Sequence, residues 1–250
     1  MLPIPLDEKM KFINYAHRGY SELYPENTLY SFYMGLNTGA NGIETDIQRT
    51  KDGVLVLFHD DDLFRILGIH GKIADYSYKE LLAMDFGKFK GTRFVNEKIV
   101  TLEEFLTHFG DKDLVFALEI KQFGVEKQML EMIDKMNLRN KVIITSFVWE
   151  SLMEVRKYDK TINVGYLVEK VDDTVISKLL ENNIQQVCPR IDYFNEDLYC
   201  KCRDLNISIR YWGISDNGVS DPVRMKRALN LGSDGMTIND PTLLQKELGL

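Results

Sequence analysis

From residue 113 to the C-terminus the chain repeats one unit six times: a short β-branched or apolar run, then a stretch with helical spacing. The runs are Leu114–Ile120, Val142–Thr145, Ile162–Val168, Gln186–Cys188, Ile207–Trp212 and Asp234–Ile238. Helices are expected over about 126–136, from Trp149, from Asp173, from Glu196, after Asp221-Pro222 and after Asp240-Pro241. The last two open with Pro at the first helical position, where its missing N–H costs nothing. Strands that alternate with helices imply parallel pairing, because each crossover returns the chain to the same end of the sheet.

Two earlier units fit the same rhythm. Phe12–Ala16 reads as a strand, and the helix after Pro25-Glu26-Asn27-Thr28 places Leu29, Phe32, Tyr33 and Leu36 on one face, with Gly39 as its stop. Gly42–Ile47 reads as the second strand. Eight strand–helix units in 250 residues are the count and size of a (β/α)₈ TIM barrel, taken as a single domain over residues 1–250. The competing architecture, an open doubly wound sheet, lacks the Gly-rich phosphate fingerprint after its first strand. Residues from about 60 to 100 break the rhythm and read as a small insertion after the second strand and its hairpin. Ser77-x-x-Glu80 and Thr101-x-x-Glu104 are capping-box patterns at its end, and the remainder reads as Gly- and Lys-rich loop.

The second strand carries the densest chemistry. Ile43 and Ile47 alternate with Glu44 and Asp46, and Val54–Phe58 is a second strand-like run. Asp52-Gly53 between them is a hairpin signal. A two-residue turn there sets residue 46 opposite residue 59, so Glu44, Asp46 and His59 share one face. In a barrel the reactive groups stand at the C-terminal strand ends. Those ends carry His17 and Arg18, then Glu44 and Asp46, then Glu119 and Lys121, and Trp212 on the seventh strand. Three carboxylates with open positions suit a hard cation, Mg²⁺ or Ca²⁺, with Mn²⁺ a third candidate. Two histidines can act as base and acid near neutral pH, and Arg18 and Lys121 offer positive charge to a phosphate. The combination points to phosphodiester cleavage. His70, in the insertion, and His108, on a helix, are expected to be structural or solvent-facing.

Composition narrows the partners. A net charge of −7 disfavours non-specific binding to nucleic acid, and no apolar run reaches membrane-spanning length. Three cysteines without metal-ligand spacing argue against a disulfide framework or a zinc site, and for a reducing, cytoplasmic setting. The first eight residues lack the basic and apolar segments of a signal peptide.

The ordered set His17-Arg18-Gly19, Pro25-Glu26-Asn27-Thr28, Glu44-x-Asp46, Thr50-Lys51-Asp52-Gly53, His59-Asp60, Glu119-x-Lys121, Thr145-Ser146-Phe147 and Trp212 resembles the glycerophosphodiester phosphodiesterases over nearly the whole chain. The resemblance implies a phospholipase-C-like phosphodiesterase barrel. Glu44, Asp46 and Glu119 would hold a divalent metal, and His17 and His59 would be the acid–base pair. Arg18 and Lys121 would contact the phosphate, with Trp212 at the substrate and Glu26 and Asn27 supporting the site. The family's usual Thr-Asp at the last strand is Ile238-Asn239 here, its Trp-Thr-Val-Asn is Trp212-Gly213-Ile214-Ser215, its Ile-Pro-Thr-Leu is Ile99-Val100-Thr101-Leu102, and its Arg-Thr-Thr is Arg65-Ile66-Leu67.

The expected reaction is metal-dependent hydrolysis of small glycerophosphodiesters to glycerol 3-phosphate and an alcohol. Two alternatives stand beside it. One is a lysophospholipase D with an apolar entrance formed by Leu63, Phe64, Ile66, Leu67 and Ile69. The other is a non-catalytic barrel that binds a glycerophosphate or headgroup, against which the histidine pair argues. The insertion carries neither the acidic trio nor the histidine pair, so it is expected to tune substrate choice.

Overall fold

The computed structural model describes residues 12–248. The N-terminal segment expected to lack a signal peptide lies outside the described residues. Eight parallel strands form the barrel: β1 (Ile13–His17), β2 (Gly42–Arg49), β3 (Val115–Ile120), β4 (Val142–Ser146), β5 (Asn163–Val168), β6 (Gln186–Pro189), β7 (Ser208–Tyr211) and β8 (Gly235–Ile238). Each pairs with the next, and β8 pairs with β1, so the sheet closes. The helices are α1 (Leu29–Asn37), α2 (Leu102–Phe109), α3 (Glu126–Lys135), α4 (Trp149–Tyr158), α5 (Asp173–Glu181), α6 (Glu196–Asp204), α7 (Pro222–Leu231) and α8 (Pro241–Leu248). All eight expected units are present. Among the described residues no helix is long and apolar enough to cross a membrane.

Period-two alternation sorts the strands into two surfaces. Ile43, Phe116, Ile144, Val164, Ile209 and Met236 point outward and pack with the helices in the main core. The alternate positions turn inward, and many are polar and buried: Glu44, Glu119, Thr145, Gln186, Arg210 and Thr237. On α1, Phe32 is buried but Tyr33 is not; its hydroxyl instead meets Nδ1 of His108 at 2.9 Å.

β2 outlasts β1. The first strand covers only Gly42–Glu44 on that edge, and the return strand Leu55–Leu57 takes the free edge at Ile47–Arg49 in antiparallel register. This register corrects the expected turn. Ile47 lies opposite Leu57, and Thr50 N donates to Val54 O at 2.9 Å, so the loop has three residues, 51–53, rather than two. Gly53 closes it at φ 89°, the left-handed position such loops require. Phe58, not His59, therefore faces Asp46, its N–H bonding to the Asp46 carbonyl at 3.0 Å.

The insertion is not a plain loop. It winds through short helical turns, Phe64–Leu67 and Tyr78–Leu82 among them, around a satellite core that includes Val56, Leu63, Ile66, Ile73, Leu81 and Phe86. Ser77 and Glu80 form the full reciprocal capping box, whereas Thr101 makes only its own half, to Glu104 N.

Candidate active site

β1 ends in a sharp turn. Arg18 and Gly19 both take positive φ, 55° and 87°, and Arg18 N donates to Glu44 O at 2.9 Å. The second position must be glycine, since a Cβ there would come within 2.4 Å of the Ser31 backbone on α1. The turn aims Arg18 back across the strand ends. Its Nη1 donates to Glu26 Oε1 at 2.8 Å, and its Nε stands 3.2 Å from Asp46 Oδ2 without hydrogen-bond alignment. Asn27, also at positive φ, donates to Asp46 Oδ2 at 3.0 Å and accepts from Thr45 at 2.8 Å.

Register brings the acids together. His17 lies opposite Glu44, and Asp46 lies opposite Glu119. Glu44, Asp46 and Glu119 are all buried, and each offers an oxygen within 4.8 Å of the other two. Burial drives the Glu44 carboxyl well above the usual range, and its neighbours Asp46 and Glu119 push it further. Burial also raises Glu119. For Asp46 burial is outweighed by Arg18, His59 and Lys121, which hold it low. Lys121 Nζ sits 2.8 Å from Glu119 Oε1 and 3.9 Å from Asp46 Oδ1. Glu44 Oε2 and Asp46 Oδ1 have no hydrogen-bond partner although both are buried. Leaving such oxygens unmatched is costly, so a cation between them fits the donor set.

The two histidines face this trio with different partners behind them. His17 Nδ1 lies 2.5 Å from Asn239 Oδ1, at the end of β8. The Asn239 amide nitrogen donates to Gly218 O at 3.1 Å, so its oxygen is the acceptor and His17 carries its proton on Nδ1. Nε2 then presents a lone pair toward the site, 3.7 Å from Glu44 Oε2. Burial and the Arg18 charge hold His17 well below the usual imidazole range. His59 instead donates Nδ1–H to Asp60 Oδ1 at 2.7 Å. Gln48 grips the backbone on both sides of it, donating to Phe58 O at 3.0 Å and Asp60 O at 2.9 Å. The ladder has ended at Leu57, so His59 reaches the site despite the shifted register.

A further residue enters from the insertion. Arg65 bonds Glu26 through Nη1 and Nη2, both at 2.7 Å, and Asp60 through Nε at 2.6 Å and Nη2 at 3.0 Å. The insertion is thus tied to the strand ends and not confined to the rim.

Two cavities meet here. One, of about 360 Å³, is lined by His17, Arg18, Glu44, Arg190, Arg210 and Trp212 among others. The second, of about 720 Å³, opens between the insertion and the loops after β3 and β4, beside Asp60, Phe64, Arg65, His70 and Lys121. His59, Glu119 and Phe147 line both. Trp212 donates to Val168 O at 3.1 Å, stacks edge-on against Phe147 at 5.1 Å and lies under the Arg190 guanidinium. Of the five residues expected to form an apolar entrance, Leu63 and Ile66 are buried in the satellite core, leaving Phe64 and Ile69 as the large exposed hydrophobics.

All ten residues named from the sequence gather around this mouth. Sequence reasoning missed Gln48, Arg65, Arg210 and the contact made by Asn239. Period two on β7 carried the one available signal, since Arg210 shares the inward face with Trp212.

The profile of the Glycerophosphoryl diester phosphodiesterase family matches residues 17–243. The chain is 32% identical to a glycerophosphodiester phosphodiesterase of Caldanaerobacter subterraneus, over 94% of this chain and 97% of that one. A solved Thermotoga maritima glycerophosphodiester phosphodiesterase superposes with a TM-score of 0.77 at 28% identity, covering 95% and 98% of the two chains. A phosphodiesterase of Oleispira antarctica, solved with the product sn-glycerol-3-phosphate, superposes with a TM-score of 0.86 at 24% identity over 95% and 97%.

Proposed function

The chain belongs to the glycerophosphoryl diester phosphodiesterase family, and on that premise we propose that residues 1–250 act as one domain that hydrolyses small glycerophosphodiesters to glycerol 3-phosphate and a free alcohol. The observation that carries this reading is the buried trio Glu44, Asp46 and Glu119, with two unmatched oxygens, between histidines whose Nδ1 partners differ.

Glu44, Asp46 and Glu119 would hold one divalent cation, Mg²⁺, Ca²⁺ or Mn²⁺. When bound, it supplies positive charge at the phosphoryl oxygens where negative charge builds up. Lys121 and Arg18 add fixed cations on the same side. The two histidines divide the proton work according to what stands behind them. An amide oxygen behind His17 favours a neutral ring with its lone pair on Nε2, which suits a base. His17 takes the proton of the attacking hydroxyl, either of water, which gives glycerol 3-phosphate directly, or of the glycerol C2 position, which gives a cyclic phosphate that water then opens to glycerol 3-phosphate. An ionised carboxylate stands behind His59: burial would raise Asp60, but hydrogen bonds from His59 and Arg65 outweigh it and hold it low. Such a partner can carry an imidazolium as an ion pair, which suits an acid. His59 gives its proton to the departing alkoxide. Trp212 and Phe147 wall the cavity around the organic part of the substrate, and Glu26 and Asn27 hold Arg18 and Asp46 in place.

The test is a panel of glycerophosphodiesters, including the choline and ethanolamine forms, assayed for glycerol 3-phosphate with Mg²⁺, Ca²⁺ and Mn²⁺ in turn. Release from at least one substrate, lost on chelation, is the expected result. No release with any cation overturns the reading.

A further inference from the structure

We propose that Arg65, delivered by the insertion, is the positioning residue that fixes His59 relative to the phosphate-facing Arg18. The inference rests on the acid–base reading above and extends it to a residue outside the strand ends.

The contacts form one line. His59 Nδ1 bonds Asp60, Arg65 forks onto Asp60 and also onto Glu26, and Glu26 receives Arg18 Nη1. Both carboxylates are met at two oxygens, the arrangement that adds direction as well as strength. An exposed ion pair ordinarily contributes little and orients nothing. Two observations set this one apart. Its acids are mostly buried, with side chains only 14% and 21% exposed. Each acid also has a second duty, Asp60 to His59 and Glu26 to Arg18.

His59 needs such support. It stands beyond the last ladder pair of the return strand, and its Nδ1 partner is the next residue in the chain, whose side chain could otherwise rotate toward water. Arg65 removes that freedom. Its own position is set by the satellite core, since Leu63 and Ile66 flank it and are buried there. Packing in the insertion is thereby converted into the orientation of a histidine that the insertion never touches through its core. Lysine cannot replace the fork, because one ammonium cannot meet both carboxylates in plane.

The experiment compares the wild-type holoenzyme with Arg65→Ala, Arg65→Lys and His59→Ala on two substrates. One is glycerophosphocholine; the other carries nitrophenol, a leaving group that departs without a proton. Arg65→Ala should lose about 10–100-fold in kcat on the choline ester with little change in KM. It should lose far less on the nitrophenyl ester, repeating the His59→Ala pattern in weaker form. Arg65→Lys should not restore the rate, and guanidinium chloride added to Arg65→Ala should restore part of it. Equal loss on both substrates, or no loss, overturns the proposal. ¹⁵N spectra of the histidine rings give a second readout that does not need turnover. The Nδ1–H of His59 should be hydrogen-bonded and slow to exchange in the wild type, and should lose that protection in Arg65→Ala and Arg65→Lys. An unchanged signal overturns the proposal, whereas a wild type that shows the signal but cleaves neither ester overturns only the functional reading.

Discussion

Asn239 holds the Nδ1 proton of His17 through its side-chain oxygen, while its own amide nitrogen is committed to the Gly218 carbonyl. The amide therefore has one orientation, and so does the ring. Asn239→Leu should lower kcat about 10–100-fold by freeing the imidazole. Asn239→Asp keeps an acceptor but adds negative charge. That charge favours the imidazolium, so the acidic limb of the kcat/KM profile should move to higher pH. A pH–rate profile of both variants checks this, and an unmoved limb in Asn239→Asp would contradict it.

Variants of the acidic trio test cation binding apart from folding. Glu44 Oε2 has no hydrogen-bond partner, whereas Asp46 also meets Arg18 and Asn27 through Oδ2. Glu44→Gln should lose cation affinity in isothermal titration while its melting temperature stays close to wild type. Asp46→Ala should lose affinity and also stability, by about 1–3 kcal/mol, because the buried Asn27 amide loses its acceptor and Arg18 is left with Glu26 alone. Equal melting temperatures in the two variants would show that Arg18 does not depend on Asp46.

Glu26 sets an acid limit. Burial would raise its carboxyl, but Arg18 and Arg65 outweigh that and hold it at about 2. A depressed carboxyl contributes stability that is present above its unfolded value, about 4.3, and is lost as pH falls toward the folded one. The contribution is about 3 kcal/mol at neutral pH. Denaturant titrations from pH 5 to pH 2 should show a shallower decline for Glu26→Gln than for wild type.

Glycine at position 19 is required twice over, by φ 87° and by the 2.4 Å approach to Ser31. Gly19→Ala should cost more than about 2 kcal/mol and displace Arg18. Gly53 has the same sign of φ, 89°, but nothing within 4 Å, so Gly53→Ala should cost only about 1 kcal/mol. Thermal unfolding of the two variants separates strain from clash.

The barrel was legible because each strand alternates or runs apolar between clear breaks, and because each is followed by a helix. Strand ends then located the acids and His17 without any knowledge of contacts. The hairpin was misread by one residue, since Asp52-Gly53 serves a three-residue loop as readily as a two-residue one. His59 reached the site by leaving the ladder, so a right placement came from a wrong register. The Ser77-x-x-Glu80 box marks the helix Tyr78–Leu82 in the insertion, but helices such as Phe64–Leu67, four residues long, show no period and stay hidden. Arg65 and Asn239 also act through Glu26 and His17, 39 and 222 positions away, and no local pattern reports on such distances.

Closure of the barrel has a consequence for the newly made chain. Synthesis delivers His17, the acidic trio and His59 early, within the first 119 residues. The amide that orients His17 follows β8, 222 positions further along the chain. Without that strand beside β1, the first histidine lacks its Nδ1 partner and the sheet is open. A fragment that stops short of β8 would therefore carry both histidines and the acidic trio without the contact that orients His17.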